Sequence, residues 1–475
     1  MRSPALIFVA TVLLAACKAG PDYRKPDVPV SADYKETGEA WKQAQPRDDA
    51  DRGRWWDIFG DAQLGQLIER IDVSNQSLRA AEAQLRQANA VAAGAQARLF
   101  PTLDASVAIA RNRSPGVTTG SGGTQTNRTL SLDASWDADL WGRIRRQIES
   151  ADASVQATAG DLAAARLSLQ SQLATNYFQL RTLDRQRRLL EETVEAFQKN
   201  LTLTENRYRA GVGARADVIQ ADTQLKSTQA QAIDIAVQRS QLEHSIAILV
   251  GVPPAELAIQ PQREYSPTLP VVPVGLPSQL LERRPDIAAA ERRVAAANAQ
   301  VGVAEAAFFP DLTLTGAYGY RSSVASQWLT APARFWSLGS LLAMTIFDAG
   351  LRQAQTDQAI AAYDATVANY RQVALQSFQQ VEDSLAAVRI LEEETRLQTE
   401  AVQAARLAVQ LTLNQYKAGT TSYLAVVLLQ AQQLQNERTL VGLYGDRLTA
   451  TVALVRALGG GWRAGDLPPD PRGGS

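Results

Sequence analysis

From Arg143 to Ala210 the chain has no proline and a single glycine, Gly160, and from Leu351 to Ala418 it has neither. Proline and glycine are the strongest breakers of regular structure, so each stretch predicts one unbroken helix. At about 1.5 Å per residue such a helix spans on the order of 100 Å, deeper than any compact core. Its apolar positions are mostly Ala and Leu with Gln, Arg and Thr between them, which is the composition of a coiled coil. A shorter helical segment follows each stretch, from Val212 to Val250 and from Thr420 to Leu458, with Val218, Leu225, Ile233 and Val237 at helical spacing in the first. Between long and short segments stand Gly211-Val212-Gly213 and Gly419-Thr420-Thr421, fit to end a helix in a left-handed cap and reverse the chain. The expectation is two long helical hairpins, 143–250 and 351–458.

The two hairpins belong to a tandem duplication. Phe100-Pro101 matches Phe309-Pro310, Asp139 matches Asp348, and Leu78 with Glu82 matches Ile287 with Glu291. Arg207-Tyr208-Arg209-Ala210-Gly211 matches Gln415-Tyr416-Lys417-Ala418-Gly419, and every match keeps the same offset to within one position. The first repeat is read as 61–252 and the second as 278–458, joined by a Pro-rich linker over 253–277 and followed by a tail over 459–475.

Between each Phe-Pro pair and each long helix the period changes from helical to alternating. Leu103 to Ile109 and Leu130 to Trp136 place apolar residues at every second position, and Leu312 to Tyr318 and Trp336 to Ile346 repeat the pattern. Alternation of an apolar face with a small, polar one is the pattern of a transmembrane β-strand. Hairpins over 103–137 and 312–347 follow, with Ser114–Asn127 and Arg321–Phe335 as their loops. Four strands cannot close into a barrel, and an open edge in lipid would leave its N–H and C=O groups unpaired. Two copies give a barrel filled by its own side chains, so three copies, with twelve strands, make the smallest assembly that conducts. The fold class expected is therefore mixed α and β: a trimeric twelve-stranded barrel continued by a helical tunnel.

The balance of 48 basic and 49 acidic side chains gives no sign of nucleic-acid binding, and one Cys with one His excludes a disulfide framework or a His/Cys metal cluster. The Cys is read by its position. Arg2, an apolar run from Ala5 to Ala16, and Leu14-Ala15-Ala16-Cys17 form a secretory signal over 1–16 that resembles a bacterial lipobox. Cys17 is expected to begin the mature protein, carrying N-acyl and S-diacylglycerol lipid as its only covalent addition; no cofactor and no metal are expected. A segment over 17–60 follows, for which resemblance to a known family implies a wrap around the middle of the molecule.

With these features goes a resemblance to the TolC-like outer-membrane efflux proteins, in the lipid-anchored branch that serves resistance-nodulation-division (RND) pumps. It is carried by Trp55-Trp56-Asp57-Ile58-Phe59-Gly60-Asp61, Asp139-Leu140-Trp141-Gly142-Arg143, Arg283-Arg284-Pro285-Asp286-Ile287 and Phe347-Asp348-Ala349-Gly350, together with the Phe-Pro pairs and the glycine turns. The resemblance implies a homotrimer in outer-membrane lipid, fed by an inner-membrane RND transporter through a periplasmic membrane-fusion adaptor. Such a protein is a passive exit duct for small molecules such as drugs and catalyses nothing. It also implies a tunnel closed at the hairpin tips until the adaptor docks there, against Gly211, Gly213, Gly419 and Thr420.

Matched residue by residue, the family's closing link places Asp217 beside Tyr416, as a phenol donating to a carboxylate. The plainer role for Asp217 is to favour the positive end of its own helix. A second link made by an Arg elsewhere in the family falls on Thr421, and an acidic ring falls on Ala425 and Leu428. The closure expected is accordingly apolar, around Tyr423, Leu424 and Leu428. Two other readings stay open: the outer component of a type I protein secretion system, and a lipid-anchored periplasmic coiled-coil scaffold. His244, with no nearby Cys or Asp, reads as a surface or packing residue, and Arg185, Arg187, Arg188, Glu191 and Glu192 read as helix-surface ion pairs.

Overall fold

The computed structural model describes residues 18–36, 54–114, 123–262 and 282–469, together with 265, 267, 269, 270 and 272. The signal segment, Cys17 and parts of the 17–60 segment, the first strand loop, the 253–277 linker and the C-terminal tail lie outside them. Seven α-helices and four strands are described: α1 (Ala62–Ser74), α2 (Gln76–Ala97), β1 (Thr102–Ser114), β2 (Gly123–Ala138), α3 (Arg143–Arg209), α4 (Arg215–Leu249), α5 (Pro285–Ala306), β3 (Asp311–Ser322), β4 (Arg334–Ala343), α6 (Leu351–Lys417) and α7 (Tyr423–Ala457). Both long helices are 67 residues, as the missing breakers require. Gly160, the one glycine inside them, marks a close approach: a Cβ there would stand 2.9 Å from the Pro285 carbonyl and 3.0 Å from Ala289 Cβ.

Aspartates start the long helices. Asp139 accepts hydrogen bonds from the Ile144 and Arg145 amides at 3.0 and 2.9 Å, and Asp348 accepts from the Gly350 amide at 3.1 Å. Gly142 and Gly350 supply the positive φ, 79° and 89°, that turns each strand pair into its helix. Both long helices end in Schellman caps. Gly211 and Val212 donate to the Tyr208 and Arg207 carbonyls, and Gly419 and Thr420 donate to those of Tyr416 and Gln415.

The strands form one antiparallel sheet in the order β1-β2-β3-β4, so β1 and β4 are its edges. One face carries the rows Ala105–Leu132–Tyr318–Trp336 and Val107–Leu130–Tyr320–Arg334; the other carries Asp104–Asp133–Ala317–Ser337 and Ser106–Ser131–Gly319–Phe335. Three boundaries differ from the alternation: the second loop, expected over 321–335, spans only 323–333, because β3 reaches Ser322 and β4 begins at Arg334. β4 ends at Ala343, short of 347, because its partner there is Asp311 and the preceding Pro310 has no N–H to continue the ladder. β2 begins at Gly123, so the first loop is shorter than 114–127; Thr124, Gln125, Thr126 and Asn127 pair with β1.

Nearer the sheet α3 lies between α2 and α5, nearer the tips it lies between α4 and α7, and α6 packs mainly on α5 and α7. The main core sits at mid-height, where Trp55, Trp56 and Phe59 pack with Leu64, Ile68, Leu173, Tyr177 and Phe178. Asp61 caps α1 and accepts the Tyr177 hydroxyl at 2.8 Å, while the fully buried Arg181 pairs with Asp184 at 3.0 Å. Arg284 donates to the Ala457 carbonyl at 3.0 Å, tying the opening of the second repeat to the end of its last helix.

The N-terminal segment starts at the foot of the sheet. The Ala19 amide donates to the Trp141 carbonyl at 3.0 Å, and buried Arg146 donates to the Ala19 and Gly20 carbonyls at 2.9 and 2.8 Å. From there it descends along α6, where Arg371 donates to the Asp27 carbonyl at 3.1 Å and the Lys35 amide to Glu382 at 2.8 Å.

Candidate gate at the hairpin tips

The tips are held by a small core of their own: Phe197 and Leu201 from α3, Ala221 and Leu225 from α4, Tyr416 from α6, and Tyr423 and Val426 from α7. Against this core the Tyr416 hydroxyl donates to Asp217 Oδ2 at 3.2 Å. Asp217 stands in the first turn of α4, and its side chain makes no cap there, the cap position being Ala214. The carboxylate is therefore committed to the neighbouring hairpin.

One member of this cluster is not foreseeable from the sequence. The Arg207 guanidinium lies 4.8 Å over the Tyr416 ring and donates to the Lys417 carbonyl at 3.1 Å. It binds the end of α3 to the end of α6 through a cation–π contact and a cap of the last turn. Arg207 opens the repeated Arg-Tyr-Arg-Ala-Gly motif, which by itself signals only a turn; its partner lies in the other repeat, beyond what local spacing can show.

Burial, then the Asp217 charge and hydrogen bond, push the Tyr416 phenol above its ordinary pKa, with Arg207 pulling it back. Burial, then the neighbouring Tyr416 and Asp217, raise Tyr423 to about 12. Both phenols are neutral over the physiological range, so Tyr416 keeps the proton it donates to Asp217.

Tyr423 requires a correction. It is 1 % exposed, its ring 5.2 Å from that of Tyr416, so it fills the tip core and cannot line a passage. Its α-helical position explains this: it is three positions from Val426, which also faces the core, whereas Leu424 and Leu428 share another face. Those two are 50 % and 62 % exposed and remain available to a constriction. Gly211, Gly419 and Thr420 are exposed at the extreme end, and Gly213 is half-buried against Arg207.

Elsewhere, Arg187 and Arg188 pair with Glu191 and Glu192 at 2.8 Å on the helix surface, while Arg185 lies over the Tyr444 ring at 5.2 Å. His244 is exposed, and among the described residues no group of His, Cys, Asp and Glu could hold a metal. No described helix is long and apolar enough to cross a membrane.

A family profile described as "Outer membrane efflux protein" matches residues 67–252 and 276–460, the two repeats. The probable efflux pump outer membrane protein TtgC of Pseudomonas putida is 32 % identical over 460 residues, covering 96 % of this chain and 94 % of its own. The pyoverdine export outer membrane protein OpmQ of Pseudomonas aeruginosa is 32 % identical over 464 residues, covering 96 % of each. Among solved structures, the outer-membrane channel OprN superposes with a TM-score of 0.88 at 33 % identity, over 94 % of this chain and 100 % of that one.

Proposed function

Because the chain belongs to the outer membrane efflux protein family and is an outer-membrane efflux channel, we propose that it works as a homotrimer, closed until an adaptor releases its tips. The observation that carries this is an alignment of open edges. β1, α2 and α4 bound the protomer on one side, and β4 and α6 bound it on the other. An apolar-faced sheet cannot sit in lipid with unpaired edges, and three copies close it into twelve strands.

The duplication names the contacts across each seam. Within the protomer α3 packs on α7, where Thr182 stands directly against Gly445. Moved by one repeat, Thr182 becomes Ile390 on α6 and Gly445 becomes Val237 on α4 of the next copy. Both are exposed in the single chain, at 54 % and 57 %. Two apolar side chains bared at positions whose repeat partners are in contact fit a seam between copies.

In this reading Cys17 carries the lipid, supported by the anchoring of residues 19 and 20 at the foot of the barrel, where acyl chains would meet the membrane. The tips at Gly211, Gly213, Gly419 and Thr420 receive a periplasmic membrane-fusion adaptor that couples the duct to an inner-membrane RND transporter. The Asp217–Tyr416 link with Arg207 holds the tip shut, and Leu424 and Leu428 narrow it. Small molecules pass without reaction at the wall. The test is a cysteine pair, Val237→Cys with Ile390→Cys, in the full chain. Oxidation should give a covalent trimer from outer-membrane fractions, through Cβ atoms set as close as their in-chain counterparts. Migration only as monomer, with and without oxidant or heat, would overturn the trimer.

A further inference from the structure

The outward face of the sheet carries charge of one sign only. The register puts Arg111 and Arg113 of β1, Arg128 of β2 and Arg334 of β4 on the same face as Val107, Leu132, Tyr318, Trp336 and Leu338. The acids of the strands, Asp104, Asp133, Asp137 and Asp311, all stand on the other face, toward the lumen.

The four arginines also fall on two adjacent levels of that face, two residues apart. Thr102 and Asp311 each follow the proline of a matching Phe-Pro pair, so the repeat sets them at one height above the helices. Yet Thr102 pairs with Ser135, and Ser135 with Thr315, four positions beyond Asp311. Each hydrogen-bonded row therefore climbs toward the hairpin ends by about two residues per strand, the stagger that a closing barrel needs. With that climb Arg128, in the row of Ile109, is level with Arg111; Arg334, in the row of Tyr320 and Val107, is level with Arg113. From Pro101 to Arg111 is about ten residues, which at about 3.3 Å each and a tilt near 40° gives roughly 25 Å, the height of a lipid-facing apolar band.

Arg111, Arg113 and Arg334 are exposed and Arg128 is half-buried. Their hydrogen bonds are sparse: Arg128 donates to the Ser323 carbonyl at 3.2 Å and Arg334 to the Ala331 carbonyl at 3.4 Å. Among the described residues no carboxylate pairs with any of the four. Charged side chains turned toward lipid are costly unless they reach the headgroups, and a guanidinium matches a phosphate in two parallel hydrogen bonds.

We propose that Arg111, Arg113, Arg128 and Arg334 form an outward collar that binds the phosphate groups of lipid headgroups in the outer leaflet. The collar fixes the height of the barrel in the membrane, opposite to the foot where Ala19 and Gly20 are held. It rests on the apolar face being the lipid face, a reading that fails separately if the wild-type chain does not enter outer membranes.

The experiment compares the full-length trimer with R111Q/R113Q/R128Q/R334Q, each incubated in mixed micelles with diphosphorylated lipid A or its phosphate-free counterpart and read by native mass spectrometry. Wild type should retain the phosphorylated lipid and not the phosphate-free one, and the variant should lose retention by about tenfold or more. Excess inorganic phosphate should leave retention unchanged, since a free ion lacks the anchored chains. Should the fourfold variant fail to assemble, R111Q/R113Q and R128Q/R334Q should each lose part of the retention, while R187Q/R188Q on the periplasmic helix loses none. Equal retention by wild type and collar variants, or of both lipids by wild type, would overturn the collar.

Discussion

α3 and α6 are copies of one helix, 67 residues each, yet burial runs the length of α3 and touches α6 only at scattered positions such as Tyr370, Val381 and Leu385. The difference is one of place. α3 has neighbours on both sides within the protomer, whereas α6 is at the edge and bares Ile360, Leu375, Ile390, Leu397, Leu407 and Leu411. Leu375, Leu397 and Leu411 are bare at the positions where α3 packs Leu167, Leu189 and Leu203 within the protomer, which fits a helix with a partner outside the chain. The tips show the converse. Asp217 meets Tyr416, but the repeat partner of Asp217 is Ala425 and that of Tyr416 is Tyr208. In the proposed trimer the seam inside each protomer would carry the Tyr416–Asp217 bond, and the seam between copies would have Tyr208 and Ala425 in its place.

Ile390→Glu breaks this comparison most severely. It places an unpaired carboxylate in each of three apolar seams, at a cost of several kcal/mol per seam. Trimer-sized, heat-modifiable migration should disappear while each monomer keeps its helical content; a surviving trimer would mean that α6 is not a seam.

Next in size is the latch. A hydrogen bond from a phenol to a carboxylate contributes about 1.5 kcal/mol, about tenfold for each link, so Asp217→Ala, which removes the link from all three protomers, should shift the open-to-closed ratio of a planar-bilayer channel by about a thousandfold when the tips open together. Tyr416→Phe should do the same, since it keeps the buried ring and removes only the donor. The pH dependence has a definite sign. The folded tip raises the Tyr416 pKa, so the link is complete below the ordinary phenol value and fades only as pH climbs through the raised one. Wild-type conductance should be level up to about pH 9 and rise above about pH 10, and the rise should be absent from Tyr416→Phe. Conductance unchanged by both substitutions would leave closure to Leu424 and Leu428 alone.

The smallest effect should come from supplying the missing acid. Ala425→Asp puts a carboxylate opposite Tyr208 of the neighbouring copy, and Tyr208 is 46 % exposed in the protomer. A link at such an exposed site is worth less than about 1 kcal/mol, so the open fraction should fall only about two- to fivefold for each of the three links. Replacing Tyr208 with Phe in the same background should restore it.

Much of this architecture is legible without a structure, because the signals are local and long. Two arms without proline, and with Gly160 as their one glycine, leave few alternatives to helix, and period-two alternation fixes which strand face meets lipid. The latch pair is also legible, but only through a family resemblance; the two residues lie 199 positions apart. What the pattern misjudges depends on contacts made across the fold. Tyr423 fits a pore-facing apolar helix as well as Leu424 does, and its burial beside Phe197 and Tyr416 comes from how two hairpins meet. Arg207 escapes for the same reason, as does the early end of β4 opposite Pro310.

By itself, then, the sequence determined the elements, the length of the helical arms, their duplication and the two chemical faces of the sheet, all of which follow from backbone sterics and the periodicity of apolar residues. Tertiary structure decided which of two equivalent helices is interior and which is edge, which tyrosine closes a link and which fills a core, and on which two adjacent levels four scattered arginines fall. These depend on register and neighbour order, set by contacts between residues far apart in the chain, and periodicity along a single segment carries no information about them.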